Sequence, residues 1–312
     1  LSEIHNKEDE EPLSSDGTNH KIDIGNLSPP LVPPQGGKTV TSSFEKKKHA
    51  FEDQTVVPER PRRVTKEDNS ELNISLENIS FRYNGTNEEV ISNLSLSIPS
   101  NKTTAIVGAS GSGKTTLMKI LLKFYDVSTG QIKVGHHLLE NISQKSWRNH
   151  CGVVMQEGYI FNDTIAQNIA VGETHIDKDR LLKAVKIANI QEFIESLPLA
   201  YNTKIGMEGV GMSGGQKQRI LIARAVYKNP NLICFDEATS ALDSNNEAEI
   251  TANLTDAFRN RTSVVISHRL STIRDADHVV VLEKGRVVEQ GSHDALVTSD
   301  GLYKQIFARQ LV

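Results

Sequence analysis

Leu72-Asn73-Ile74-Ser75-Leu76-Glu77-Asn78-Ile79 alternates apolar and polar side chains, the period of a strand buried on one face. Val90 to Ile98 repeats that pattern. Further on the pattern changes. Thr103–Val107, Leu232–Phe235, Ser263–Ser267 and Val279–Leu282 are short runs with apolar centres, as in strands covered on both faces. Helical periodicity falls between them, at Leu117–Leu122, Gln216–Tyr227 and Asn246–Phe258. Strands alternating with helices predict an α/β fold with a mostly parallel sheet flanked by helices. From about Glu157 to Gly211 helical periodicity dominates, which suggests a helical insertion. No internal repeat is visible.

The pattern starts only near residue 70. Before it lie seven of the ten prolines, the acidic run Glu8-Asp9-Glu10-Glu11 and the basic run Lys46-Lys47-Lys48, with few aromatic residues. Residues 1–70 therefore read as a disordered or extended linker, and 71–312 as the folded domain. The 312 residues carry a net charge of -4, which gives no argument for a nucleic-acid partner. Cys151 and Cys234 are the two cysteines, too few and too far apart for a disulfide framework or a zinc site. They read as buried small apolar residues in a reducing compartment. No apolar stretch approaches the roughly 18 residues that span a bilayer, and no secretory signal is present. The first residue is Leu1 rather than Met, which suggests part of a longer chain.

Chemistry enters between the first parallel strand and the first helix. Gly108-Ala109-Ser110-Gly111-Ser112-Gly113-Lys114-Thr115, with Thr116 following, fits the phosphate-cradling pattern G-x-x-x-x-G-K-[ST]. Glycines let successive N–H groups approach an anion, and the helix start adds its positive dipole end. Lys114 is expected to reach the β- and γ-phosphates, and the Thr115 hydroxyl to bind magnesium. Asp236 and Glu237 follow the apolar strand Leu232–Phe235, where a nucleotide-binding sheet places a magnesium partner. Adjacent side chains on an extended backbone point apart, so Asp236 takes that task and Glu237 is left to take a proton from water or hold it in line. Ser213-Gly214-Gly215-Gln216 reads two ways. Ser-x-x-Gln is a helix capping box, and two glycines at a helix start also suit a second anion site. One nucleotide pressed between two copies would use both helix starts.

Taken in order, these segments resemble the nucleotide-binding domain of an ATP-binding cassette (ABC) transporter, over about residues 72–312. Gly108 to Thr115 matches the Walker A loop. Leu232 to Asp236 matches Walker B, with Glu237 at the catalytic carboxylate. Met212-Ser213-Gly214-Gly215-Gln216 resembles the signature segment. Tyr83, in Phe81-Arg82-Tyr83, falls at the position that stacks on adenine. Gln156 matches the Q-loop glutamine, which in the family contacts magnesium. Asp243, in Ser240-Ala241-Leu242-Asp243, matches the D-loop, and His268 the switch histidine that hydrogen-bonds the γ-phosphate. Alone, Tyr83, Gln156, Asp243 and His268 read as strand, turn or cap residues; the ordered set carries the resemblance.

The resemblance implies a P-loop NTPase-like parallel sheet with an antiparallel β subdomain and an inserted helical subdomain at about 157–229. It implies ATP and Mg2+ as ligands, a second copy as partner in a homodimer, a transmembrane domain, and the cytoplasmic face of the membrane. Tyr159 to Ile169 and Tyr201 to Gly206 are similar to exporter segments, and the sequence is similar to cassettes of bacterial peptide and bacteriocin exporters. A lipid or multidrug exporter, a non-transport ABC ATPase and an ATP-binding switch without turnover remain as alternatives. Two positions depart from the pattern. Met212 stands for leucine, a volume-conserving change. Met207 stands where exporters often carry a glutamate before the signature, which puts contacts to the membrane domain through that loop in doubt.

Overall fold

The computed structural model describes residues 72–310 except 208 and 238–243. All of them belong to the second of the chain's two compact units, residues 57–312. The expected linker and Asp243 lie outside the described residues.

Strands β1 (Ile74–Phe81), β2 (Ile91–Ile98) and β3 (Thr103–Val107) precede helix α1 (Lys114–Leu121). Next come β4 (Thr129–Val134), β5 (His137–Leu138), α2 (Gln144–His150) and β6 (Cys151–Val154). A mainly helical stretch holds β7 (Asp163–Thr164), α3 (Ile165–Ile169), α4 (Lys178–Ile187), α5 (Gln191–Ser196), β8 (Lys204–Ile205) and α6 (Gly214–Tyr227). The chain then returns to the sheet with β9 (Leu232–Asp236), α7 (Ser244–Ala257), β10 (Thr262–Ile266), α8 (Leu270–Arg274) and β11 (His278–Glu283). It ends with β12 (Arg286–Gly291), α9 (His293–Thr298) and α10 (Leu302–Gln310).

The alternating segments pair antiparallel, in the order β2-β1-β4-β5. Ile74 and Leu76, and Leu94, Leu96 and Ile98, are buried at the two-residue period, while an irregularity at Asn93 (φ +47°) buries Ile91 as well. The second sheet runs β12-β11-β3-β10-β9-β6. Its pairs β11–β3, β3–β10, β10–β9 and β9–β6 are parallel, and β12 is an antiparallel edge. β3, β9, β10 and β11 are covered on both faces, which is why their centres are apolar. Ile106, Val264 and Ile266 pack with α1 residues Leu117 and Ile120 on one face. Ala105, Val107, Val279 and Val281 pack with Leu296 and Tyr303 on the other. A separate cluster joins α3, α4 and α6 to Ile233 and Ile250. Cys151 and Cys234 are free thiols inside the protein, and burial pushes the Cys151 thiol up to about 12. Among the described residues no helix is long and apolar enough to cross a membrane.

Candidate nucleotide site

Parallel pairing decides where the chemistry sits. Four adjacent strands, β3, β10, β9 and β6, end at the same edge of the sheet. Each is followed by one expected segment: the 108–113 loop after β3, Ser267-His268 after β10, Glu237 after β9 and Gln156 after β6. A ligand site at the carboxyl ends of such strands is the general rule for open α/β sheets.

The loop between β3 and α1 is tightly made. Gly108 has φ +152°, and a Cβ there would lie 2.2 Å from the Leu282 carbonyl oxygen on β11. Gly113, at φ +102°, is the left-handed N-cap of α1, and a Cβ would come within 2.9 Å of Ile91 Cδ1. Both positions exclude a side chain on conformation and on space. Lys114 is only 7% exposed. Its Nζ donates to the carbonyls of Gly108 and Ala109, both at 2.9 Å. Burial lowers its pKa, and the carboxylates of Glu237 and Asp236 oppose that shift. The ammonium is thus folded back on its own loop. Ser112 Oγ, buried in the same loop, has no hydrogen-bond partner.

Asp236 closes β9 and is 2% exposed. Burial raises its pKa, while a hydrogen bond from Thr115 and the nearby Lys114 charge act the other way. Its Oδ2 has no partner. A buried carboxylate oxygen left unpaired beside a threonine hydroxyl calls for an explanation, and a small hard cation supplies one. Among the described residues no cluster of three His, Cys, Asp or Glu could hold a metal alone. That fits an ion such as Mg2+, which takes few protein ligands and completes its shell with water and phosphate.

Glu237 lies next, and its backbone turns. With φ +48° it occupies the left-handed region, and its amide donates to the Ile266 carbonyl at 2.9 Å. A non-glycine residue there costs on the order of 1–3 kcal/mol and is held by its surroundings. Glu237 is therefore not extended, and its charge acts both on Asp236 and on Lys114. Gln156 Nε2 donates to Glu237 Oε2 at 3.0 Å, and His268 Nε2 lies 3.1 Å from Glu237 Oε1. Three expected residues from three strand ends meet in one hub.

Tyr83 sits just beyond β1. Its hydroxyl and the Thr116 hydroxyl are 2.9 Å apart. Its ring packs edge-on against Phe81 and Tyr125, with centroids 5.0 and 5.3 Å away. Thr116, expected among the phosphate contacts, is 8% exposed and turns its hydroxyl to Tyr83. Tyr125 was missed by sequence reasoning; its signal was the aromatic pair Phe124-Tyr125 just after α1.

Ser213 caps α6. Its Oγ accepts from the Gln216 amide at 3.2 Å, and Gln216 Oε1 accepts from the Ser213 amide at 2.9 Å. The capping box is therefore formed, with Gly214 and Gly215 between its two ends. α6 packs on α3 and α4 and also on β6 of the parallel sheet. Met207 is 95% exposed.

Residues 91–240 match the family model described as ABC transporter. An ATP-dependent lipid A-core flippase of Haemophilus influenzae is 40% identical over 254 residues, 81% of this chain and 43% of that protein. A multidrug export ATP-binding/permease protein of Bacillus subtilis is 41% identical over 237 residues, 76% of this chain and 41% of its own length. A solved bacterial Atm1-family ABC exporter with ATP bound superposes with a TM-score of 0.76 at 40% identity, over 82% of this chain and 44% of that one. The chain spans less than half the length of these relatives.

Proposed function

Because the chain belongs to the ABC transporter family and carries its exporter-type ATPase domain, we propose that pairs of it bind and hydrolyse ATP to power export across a membrane. The Gln156–Glu237–His268 hub beside the Lys114 loop is the observation that carries this reading.

Residues 108–115 cradle the triphosphate, and Lys114 exchanges the Gly108 and Ala109 carbonyls for the β- and γ-phosphates. Tyr83 offers its ring to adenine. Thr115, Asp236 and Gln156 hold Mg2+, which when bound neutralises developing charge on the phosphates. Glu237 accepts a proton from the attacking water as its oxygen bonds to the γ-phosphorus. The bond from that phosphorus to the bridging oxygen breaks, leaving ADP and phosphate. His268 hydrogen-bonds the γ-phosphate and keeps Glu237 in line. Gln156 and His268 each hold one Glu237 oxygen, and the remaining lone pairs of both oxygens can accept from water.

Residues 71–312 act as the nucleotide-binding domain, with 157–229 as its helical subdomain. Ser213, Gly214, Gly215 and Gln216 bind the ATP of a second copy, with the Asp243 segment between the two sites. A transmembrane domain is the other partner, and the site lies on the cytoplasmic face. The peptide cargo rests on sequence resemblance alone. The relatives' names, a lipid A-core flippase and a multidrug export protein, give equal standing to lipid or drug cargo.

Phosphate release from Mg-ATP tests the reaction. The parent chain should turn over. Glu237→Gln should lose about 100-fold or more while still binding ATP. Release by that variant at the parental rate would remove Glu237 from its role, and no release by the parent would leave an ATP-binding switch.

A further inference from the structure

Just past Gln156 the chain leaves the sheet and lies down on α6. At Gly158 a Cβ would fall 2.1 Å from Leu221 Cδ1, so the backbone rests directly on the α6 side chain. Arg224, farther along α6, then takes hold of the segment at three points. Its Nε donates to the Asn168 carbonyl at 2.7 Å, its Nη1 to the Tyr159 carbonyl at 2.9 Å, and its Nη2 to Asn168 Oδ1 at 3.3 Å. The guanidinium also lies 5.2 Å from the Phe161 ring centroid.

Asn168, at 0% exposure, completes the fastening. Its Nδ2 donates to the carbonyls of Phe161, Thr164 and Asp163 at 3.0, 3.0 and 3.3 Å. Its Oδ1 accepts from the Phe161 amide at 2.8 Å. Two side chains thus satisfy the polar backbone of a stretch whose regular structure is only the two-residue strand β7 and the short helix α3. What they hold is an exposed aromatic edge. Tyr159 is 65% and Phe161 43% exposed, with rings 5.2 Å apart.

Burial draws the Arg224 pKa down to about 10, the mark of a cation set against neutral acceptors. An apolar side chain would avoid that desolvation cost but would take these donors from the Tyr159 and Asn168 carbonyls. A guanidinium does what an apolar residue cannot: its rigid fork fixes orientation as well as distance.

We propose that Arg224 and Asn168 are positioning residues that lock the Tyr159–Asn168 edge to α6, so that the edge moves with the Ser213 turn and not with the phosphate loop. The proposal rests on the ATP-driven pairing described above. ATP that draws the Ser213 turn onto a second copy then shifts the aromatic edge through α6.

Hydrogen exchange on the 312-residue chain tests this, with Glu237→Gln blocking turnover. Mg-ATP should slow amide exchange both at residues 213–218 and at residues 159–168. Arg224→Lys keeps the charge but loses the fork. It should retain ATP affinity within about twofold and the protection at 213–218, while losing more than half of the ATP-induced protection at 159–168. Asn168→Ser should do the same and serves if the first variant does not fold. A purely structural role would speed exchange at 159–168 with and without ATP and leave the ATP-induced difference intact, which overturns the proposal. So would ATP-induced protection at 213–218 in the parent with none at 159–168. Absence of protection at 213–218 in the parent instead overturns the paired reading, and this proposal with it.

Discussion

Asp236 pits function against stability. Its carboxylate is buried, and burial raises its pKa above the ordinary carboxylate range. The folded state therefore keeps the proton longer than the unfolded state does. Stability from this group falls as pH rises from the ordinary range through the raised value, and the deficit is complete above it. Asp236→Asn removes the deficit. At neutral pH the nucleotide-free variant should melt higher than the parent, with the difference vanishing in acid, and should bind Mg-ATP more weakly. A calorimetric scan across pH that shows no gain at neutral pH contradicts the burial argument. Gly108 makes the opposite case. Gly108→Ala drives a Cβ into the Leu282 carbonyl. It should cost about 2 kcal/mol, read as a lower denaturant midpoint, together with weaker ATP binding.

These residues were legible in the sequence because the spacing of Gly108, Gly113, Lys114 and Thr115 is local, and local geometry fixes what such a loop can do. The grip of Arg224 on Tyr159 and Asn168 was not legible. Its partners lie 65 and 56 positions away, and nothing in either neighbourhood marks the pairing. The Tyr83–Thr116 contact was hidden for the same reason, since nothing in the loop motif marks Thr116 as a partner of Tyr83.

Elements followed the hydrophobic pattern where burial is one-sided or complete. β1, β2, β3, β9, β10 and β11 lie where alternation or apolar runs placed them. β5, β7 and β8 hold two residues each, too short for any periodicity to show. α3 and α5 have five and six residues and owe their existence to packing on neighbours, not to propensity. For α6 the two readings of Ser213 are compatible, since the capping box is formed and two glycines stand inside it. Ser213→Ala should therefore show two losses at once. The cap is worth about 1 kcal/mol, measurable as a lower melting temperature without nucleotide. ATP-dependent pairing should weaken as well. Lower stability with unchanged pairing would reduce Ser213 to a cap.

At the scale of the whole molecule, parallel pairing gathers the sheet-borne groups and excludes one. Lys114, Glu237, Gln156 and His268 belong to one sheet edge. The Ser213 turn heads a helix in another layer. In the pairing proposed above, a second copy supplies that turn, and each copy gives what it receives. Native mass spectrometry of the Glu237→Gln chain in Mg-ATP measures this directly. The expected particle holds two chains and two ATP, and adding Gly214→Asp should return single chains with one ATP each. Single ATP-bound chains at every concentration of the first variant, or pairs untouched by Gly214→Asp, would contradict the shared site.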